Sequence, residues 1–186
     1  VPFPASHIDL APTILDYMGL PIPRLLEGKS MLTQIRCPDV RINDYVFTEF
    51  TRYEVDHDGF GGMQMMRGVT DGRYKLVIHL CDTDELYDLQ EDRDEVENRI
   101  DCTDCSAVRS RLHDALLAHM NDTRDPFRGY QWAARPWRPE RQVSWENDAC
   151  TRQRENEEYE PRQLDYDTGL PMVSAVRRKN LYDAKT

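Results

Sequence analysis

Three groups of residues in this 186-residue chain have the types and spacing that chemistry needs. Cys102-Thr-Asp-Cys105 has the spacing of a zinc or redox pair. No second Cys pair or His pair completes four ligands, however, and no βαβ pattern surrounds it. Asp101 and Asp104 beside the sulfurs favour the protonated thiols. The pair therefore reads as two incidental thiols, neither a zinc site nor a structural disulfide. Asp56-His57-Asp58 offers three metal-ligating types, but adjacent residues rarely converge on one ion, and a solvated loop is the plainer reading. The third group centres on Arg67, set among apolar residues. Burying an unpartnered guanidinium is costly, so Arg67 needs a carboxylate, with Glu49 the candidate, or an open cleft where it meets an anion. A β-bulge at Gly68 would instead turn it to solvent.

Arg67 owes this setting to a hairpin. Two β-prone runs flank Asp71-Gly72, a dipeptide that supplies the positive φ angles of a type I′ loop. With that loop Thr70 faces Arg73, Val69 faces Tyr74, Arg67 faces Leu76 and Met65 faces Ile78. Met65, Val69, Tyr74, Leu76 and Ile78 then share one apolar face with Arg67. Residues 45–50 read as a preceding strand and 85–89 as a following one. Residues 51–62 hold too many glycines and charges for regular structure.

Helices flank this meander. Residues 107–120 place Val108, Leu112, Ala115 and Leu116 at helical spacing, with Ser106 as cap, Arg109, Arg111 and Asp114 outside, and His113 and His119 solvated. Residues 9–19 form an earlier helix, with Asp9 at its N-cap and Gly19 as a left-handed stop. Its stripe of Ile14, Leu15 and Met18 lacks an evident partner. Beyond Asn121 the periodicity ends in a tail with three tryptophans and an acidic run. Such a tail wraps over a partner surface or stays unfolded. The fold class is therefore α+β: a small antiparallel sheet of about four strands, an amphipathic helix packed on it, a preceding helix and a long irregular tail. The boundaries fall at 1–43, 44–121 and 122–186.

Composition narrows the function. A net charge of −10 with 31% charged residues argues against a nucleic-acid or anionic-membrane surface. No apolar run approaches the ~20 residues that span a bilayer. Five cysteines is an odd number without the density of a disulfide scaffold. The chain starts at Val1 in mid-motif, which reads as a piece of a longer protein. Location stays open between cytoplasm and periplasm.

The order of motifs carries a resemblance. Arg73-Tyr-Lys-Leu-Val77 after the Asp-Gly turn, then Asp84-Glu-Leu-Tyr-Asp-Leu89 and an acidic run ending Glu97-Asn98, resembles the C-terminal part of sulfatases of the alkaline-phosphatase superfamily. Residues 6–20 and 27–32 resemble the segment that closes the catalytic domain in that family. Residues 124–132, 135–138 and 165–171 resemble the tail of one bacterial branch. The resemblance implies a sulfuric ester hydrolase whose nucleophile is a formylglycine, made in a Cys-x-Pro-Ser-Arg or Cys-x-Ala-x-Arg setting, beside a divalent cation, usually calcium. Cys37-Pro38-Asp39-Val40-Arg41 misses that setting at Asp39 and Val40 and falls after the catalytic segments in family order. No catalytic residue and no metal ligand is therefore assigned, no cofactor is expected in this chain, and calcium is expected in the full-length enzyme.

The partners that the resemblance implies are an N-terminal catalytic domain, a sulfated small molecule or sugar, and contacts of a homo-oligomer. Arg52, Tyr53, His57, Arg67 and Trp132 are the residues implied to bind substrate, being types that grip anions, hydroxyls and ring faces. Against this, Tyr53 could pin its loop to the core while Arg52 pairs with Glu54 or Asp56. A phosphonate or phosphodiester hydrolase of the same superfamily is one alternative. A non-catalytic carbohydrate-binding or assembly module is the other.

Overall fold

Alternating side chains and a tight loop give four short strands no cheaper arrangement than an antiparallel meander. The computed structural model describes residues 3–23, 26–54, 62–123, 125 and 129–141. They form two units, one from 3–6 and 33–141, the other from 7–32. In the first, β1 (Val46–Glu54), β2 (Gly62–Thr70), β3 (Tyr74–His79) and β4 (Glu85–Asp88) pair in sequence order. The expected loop at 51–62 is shorter than its glycines suggest. Residues 51–54 continue β1 because they ladder onto 62–65 of β2, and pairing overrides local propensity.

The β2–β3 register differs from the sequence expectation by two residues. Thr70 pairs with Lys75, Val69 with Leu76 and Arg67 with Ile78. Gly72 and Arg73 are the central loop residues, closed by the Asp71 N–H donating to Tyr74 O at 3.2 Å. Gly72 has φ +96°, while Asp71 and Arg73 are not at positive φ. A positive φ at the first central position alone is the requirement of a II′ loop. Asp71 selects it: its Oδ1 accepts the N–H groups of Arg73 (2.9 Å) and Tyr74 (2.8 Å), which a type I′ loop centred on Asp71 would forgo. Because the slip is two residues, the faces survive, and Met65, Val69, Leu76 and Ile78 are buried together as expected.

Helix α3 (Ser106–Asp122) lies across that face, contributing Leu112, Leu116, Leu117 and Met120 to one core cluster. Ile100, Trp132 and Ala133 complete it, the last two from the short helix α4 (Tyr130–Ala133). Each aliphatic side chain fully buried here contributes roughly 1.5–3 kcal/mol. The part of the tail at 125 and 129–141 thus packs onto the sheet and helix of its own chain.

Two residues expected on the solvated side of α3 are buried instead. Arg109 and His113 sit at 8% and 0% exposure, because residues 129–138 cover the helix face they occupy. Arg109 Nη1 donates to Ile100 O, and its guanidinium lies 4.7 Å from the Trp137 ring centre. His113 Nε2 is 2.7 Å from Trp132 O, and Arg138 Nη1 is 3.3 Å from His113 Nδ1. A carbonyl on one side and a guanidinium on the other require the neutral ring, with its proton on Nε2.

The second unit is small. A 3-10 turn (His7–Asp9) leads into α1 (Leu10–Tyr17). Asp9 occupies the N-cap position but makes no cap bond to the helix. Its Oδ1 accepts the Lys29 N–H at 2.8 Å, and Thr13 Oγ1 donates to Asp9 O at 2.6 Å. A Cβ at residue 28 would fall 2.0 Å from Ile8 O, so only glycine lets that loop lie on the turn. Gly19 has φ +69° and stops the helix as expected. Of the expected stripe, Ile14 and Met18 are exposed and Leu15 is half-buried, and Leu10 and Tyr17 beside them are exposed as well. Helix α2 (Leu32–Arg36) opens the long stretch of the first unit.

His113 makes the stability of the chain sensitive to acid. Burial pushes its pKa down from 6.5 to about 4. The unfolded chain therefore binds the extra proton first, so stability is full above the unfolded pKa and falls as pH drops from about 6.5 toward 4. The loss across that window should be roughly 3 kcal/mol. Urea unfolding from neutral pH down to about pH 4.5 checks it, and His113→Gln should flatten the dependence. Asp88 and Asp114, whose pKa values are lowered by arginine partners, act below this window.

Candidate functional site

Of the residues marked for substrate, Arg52 and Tyr53 lie on β1, paired in register with Gln64 and Met63. His57, with Asp56 and Asp58, falls outside the described residues. What can be followed is how the structure holds this hairpin in place.

Arg67 does so. Its Nε donates to Asp125 Oδ2 at 2.6 Å and its Nη2 to Asp125 Oδ1 at 3.2 Å, a two-pronged pair at 3% and 0% side-chain exposure. Nη1 donates to Thr51 Oγ1 (3.1 Å), Phe50 O (3.3 Å) and Met66 O (2.9 Å). The guanidinium carbon lies 5.6 Å from the Trp132 ring centre. Asp125 is fixed in turn by its own N–H, which donates to Met120 O at 2.8 Å. Sequence reasoning placed Arg67 on the correct face but gave it the wrong partner. Glu49 stands directly across the ladder, yet its carboxylate is part-exposed and lies 3.9 Å from His119 Nε2. The chain turns back after α3 and delivers Asp125 to the buried side, where a desolvated guanidinium gains most from a carboxylate.

Arg67 and Trp132 are thus inside the fold. Trp132 is 2% exposed. Its ring packs under Arg67 rather than presenting a face to a sugar. Trp137 is also a packing residue, with its Nε1 donating to Asp84 Oδ2 at 2.8 Å and His113 at its edge.

A second knot escaped sequence reasoning. Asp84 is buried in the β3–β4 turn and accepts from His79 N, from Arg135 Nε and Nη2, and from Trp137 Nε1, all at 2.8–2.9 Å. Arg135 Nη2 also donates to His79 O. The only signal was the alternation of arginine and tryptophan in Arg135-Pro-Trp-Arg138. Beside this knot opens a surface cleft of about 560 Å³, walled by Cys81, Asp82, Asp101, Pro136 and Trp137. Closer to the hairpin loop, the Arg73 fork holds the Asp88 carboxyl below its usual range against the effect of burial.

Residues 5–122 match the family described as N-sulphoglucosamine sulphohydrolase, C-terminal. The chain belongs to this family. It is 43% identical over 168 residues to the uncharacterized sulfatase YidJ of Escherichia coli K12, a match covering 90% of this chain and 32% of that protein. The chain therefore spans about a third of the length of the curated relative it matches. Among solved structures, BT1596, a 2-O GAG sulfatase, superposes with a TM-score of 0.54 at 22% identity, covering 74% of this chain and 30% of that one. BT4656, in complex with its substrate D-glucosamine-2-N,6-O-disulfate, superposes with a TM-score of 0.50 at 21% identity, covering 60% and 23%. These likenesses establish the α+β fold with its four-stranded antiparallel sheet. The protein is a sulfatase C-terminal domain.

A sulfatase of this kind works with a metal ion. Among the described residues no group of three His, Cys, Asp or Glu side chains could hold one. Of the buried carboxylates among the described residues, Asp84, Asp88 and Asp125 are engaged by arginines and Asp9 accepts the Lys29 N–H. They do not fit a cation site, and no step of catalysis is assigned to this part of the chain. Cys37 lies exposed in the turn after α2 and Arg41 is spent on the carbonyls of Asn43, Asp44 and Asp71, so the formylglycine look-alike is a surface turn.

Removing the partner of a buried charge is costly. Asp125→Ala should destabilise the chain by about 3–5 kcal/mol, because it leaves Arg67 buried against a carboxylate that is gone. Glu49→Gln should change stability by less than about 0.5 kcal/mol, as expected of a part-exposed contact. Denaturant titration of both variants checks the contrast.

Proposed function

We propose that this domain completes the substrate cleft of a sulfuric ester hydrolase acting on sulfated sugars, while the nucleophile and a calcium ion come from the catalytic part of the longer enzyme. The observation that carries the reading is the match of residues 5–122 to a sulfohydrolase C-terminal family, in a chain whose nearest approach to a formylglycine motif is a surface turn. The family description and the disulfated glucosamine bound by BT4656 support a sulfated sugar as the substrate class. The same family match favours a sulfate over a phosphonate as the anion.

In this reading the β1–β2 hairpin is the substrate-facing element. Arg52 supplies charge-assisted hydrogen bonds to sulfate oxygens, Tyr53 and His57 contact hydroxyls and the ring, and Arg67 holds β1 rigid beneath them. Arg67 and Trp132 act by positioning, a role that their burial supports. The exposed apolar stripe of α1 supports a further role, docking against the catalytic part of the enzyme.

The purified chain should release no sulfate from an aryl sulfate above a heat-inactivated control. In the full-length enzyme, Arg52→Ala should lower kcat/KM by roughly tenfold or more with the melting temperature unchanged. Sulfate release by the chain alone, or an Arg52 variant with full activity, would overturn the reading.

A further inference from the structure

Cys102 and Cys105 have no part in the fold's knots or in the proposed function, yet their geometry is not that of two incidental thiols. Cys102 is the N-cap of a 3-10 turn (Thr103–Cys105), and Cys105 is the N-cap of the 17-residue α3. The Cys105 N–H donates to Cys102 O at 3.3 Å. A turn closed in this way holds its end Cα atoms within ~7 Å, close to the range a disulfide spans. Both thiols are free and half-buried.

The two residues stand at the turn that leads into the N-terminal end of a 17-residue helix, a setting that favours a thiolate. The expectation that acidic neighbours raise both thiols holds for only one of them. Cys102 is lowered, first by the neighbouring Cys105 thiol and then by the backbone of the turn, against burial and the Asp104 charge. Cys105 is raised, by burial first and then by Cys102. One sulfur is thereby prepared to attack and the other keeps its proton until it is needed.

We propose that Cys102 and Cys105 form a reversible thiol–disulfide site, with Cys102 as the attacking sulfur, Cys105 as the resolving sulfur and a small disulfide of the glutathione type as co-reactant. The Cys102 thiolate attacks one sulfur of the disulfide, forming a mixed disulfide and expelling one glutathione thiolate. Cys105 then gives up its proton and attacks the Cys102 sulfur, closing the intrachain bond and expelling the second glutathione. Two electrons and two protons pass from the protein dithiol to the small disulfide, giving two reduced glutathione molecules. Cys105 packs against the core cluster where α3 begins, so closure clamps the entry turn of that helix.

Trypsin releases both sulfurs in one peptide, Ile100–Arg109, with no other cysteine. The full chain would be incubated natively with oxidised glutathione, quenched with acid, alkylated, digested and weighed. The expected product is that peptide lighter by two hydrogens. Cys105→Ser should stop at a glutathione adduct on Cys102, and Cys102→Ser should leave Cys105 unmodified. Iodoacetamide should label Cys102 faster than Cys105 at neutral pH, because the more acidic thiol holds more thiolate. A peptide that stays reduced, a link that forms only in urea, equal labelling of the two thiols, or an adduct on Cys105 in Cys102→Ser would each overturn the proposal.

Discussion

The first unit of this domain depends on one buried charge. Arg67 sits where a meander of apolar strands meets the underside of α3, and the sheet cannot close over a bare guanidinium. Asp125 resolves the conflict from 58 residues away in sequence. The chain must leave α3 after Asp122 and bring a carboxylate back under the sheet, where the Asp125 N–H donates to Met120 O. The same guanidinium reaches the carbonyl of Phe50 and the hydroxyl of Thr51, so β1, β2 and the segment after α3 share a single fastening. Such an arrangement adds little net stability over an apolar replacement, but it admits only one docking of the segment after the helix.

Asp84 repeats the logic at the other end of the sheet. An aspartate in a strand turn, an arginine and a tryptophan from the later segment, and a backbone amide satisfy one another completely. Between the two knots, α4 lays Trp132 and Ala133 over the helix, and His113 is sealed as a neutral ring. Polar groups here decide where the returning segment goes, and apolar burial supplies the energy once it is there.

Local patterns made the sheet, its strand order and the main helix legible, since period-two and period-3.6 signals are properties of neighbouring residues. The face of the sheet that holds Arg67 was legible for the same reason. Its partner was not, because nothing near Asp125 in sequence distinguishes it from many solvated aspartates. His113 and Arg109 were misplaced through one cause: a segment without periodicity covers their side of α3, and polarity alone reads as exposure. Trp132 was assigned to substrate on residue type, whereas its place was settled by packing. Arg52 and Tyr53 were expected in the loop after the first strand, whereas the register puts them on β1 itself.

The two-residue slip in the β2–β3 hairpin has a consequence for how this loop can vary. Asp71, Gly72, Arg73 and Tyr74 form its closing unit, and the buried ladder begins at Lys75. An insertion or deletion of two residues at the loop moves the register by a whole side-chain period and leaves Leu76 and Ile78 facing the core. A change of one residue would bring Lys75 and Val77 to the inside and expel both core side chains. Length variation in this loop across relatives should therefore come in even steps, or in odd steps accompanied by a bulge that restores the parity.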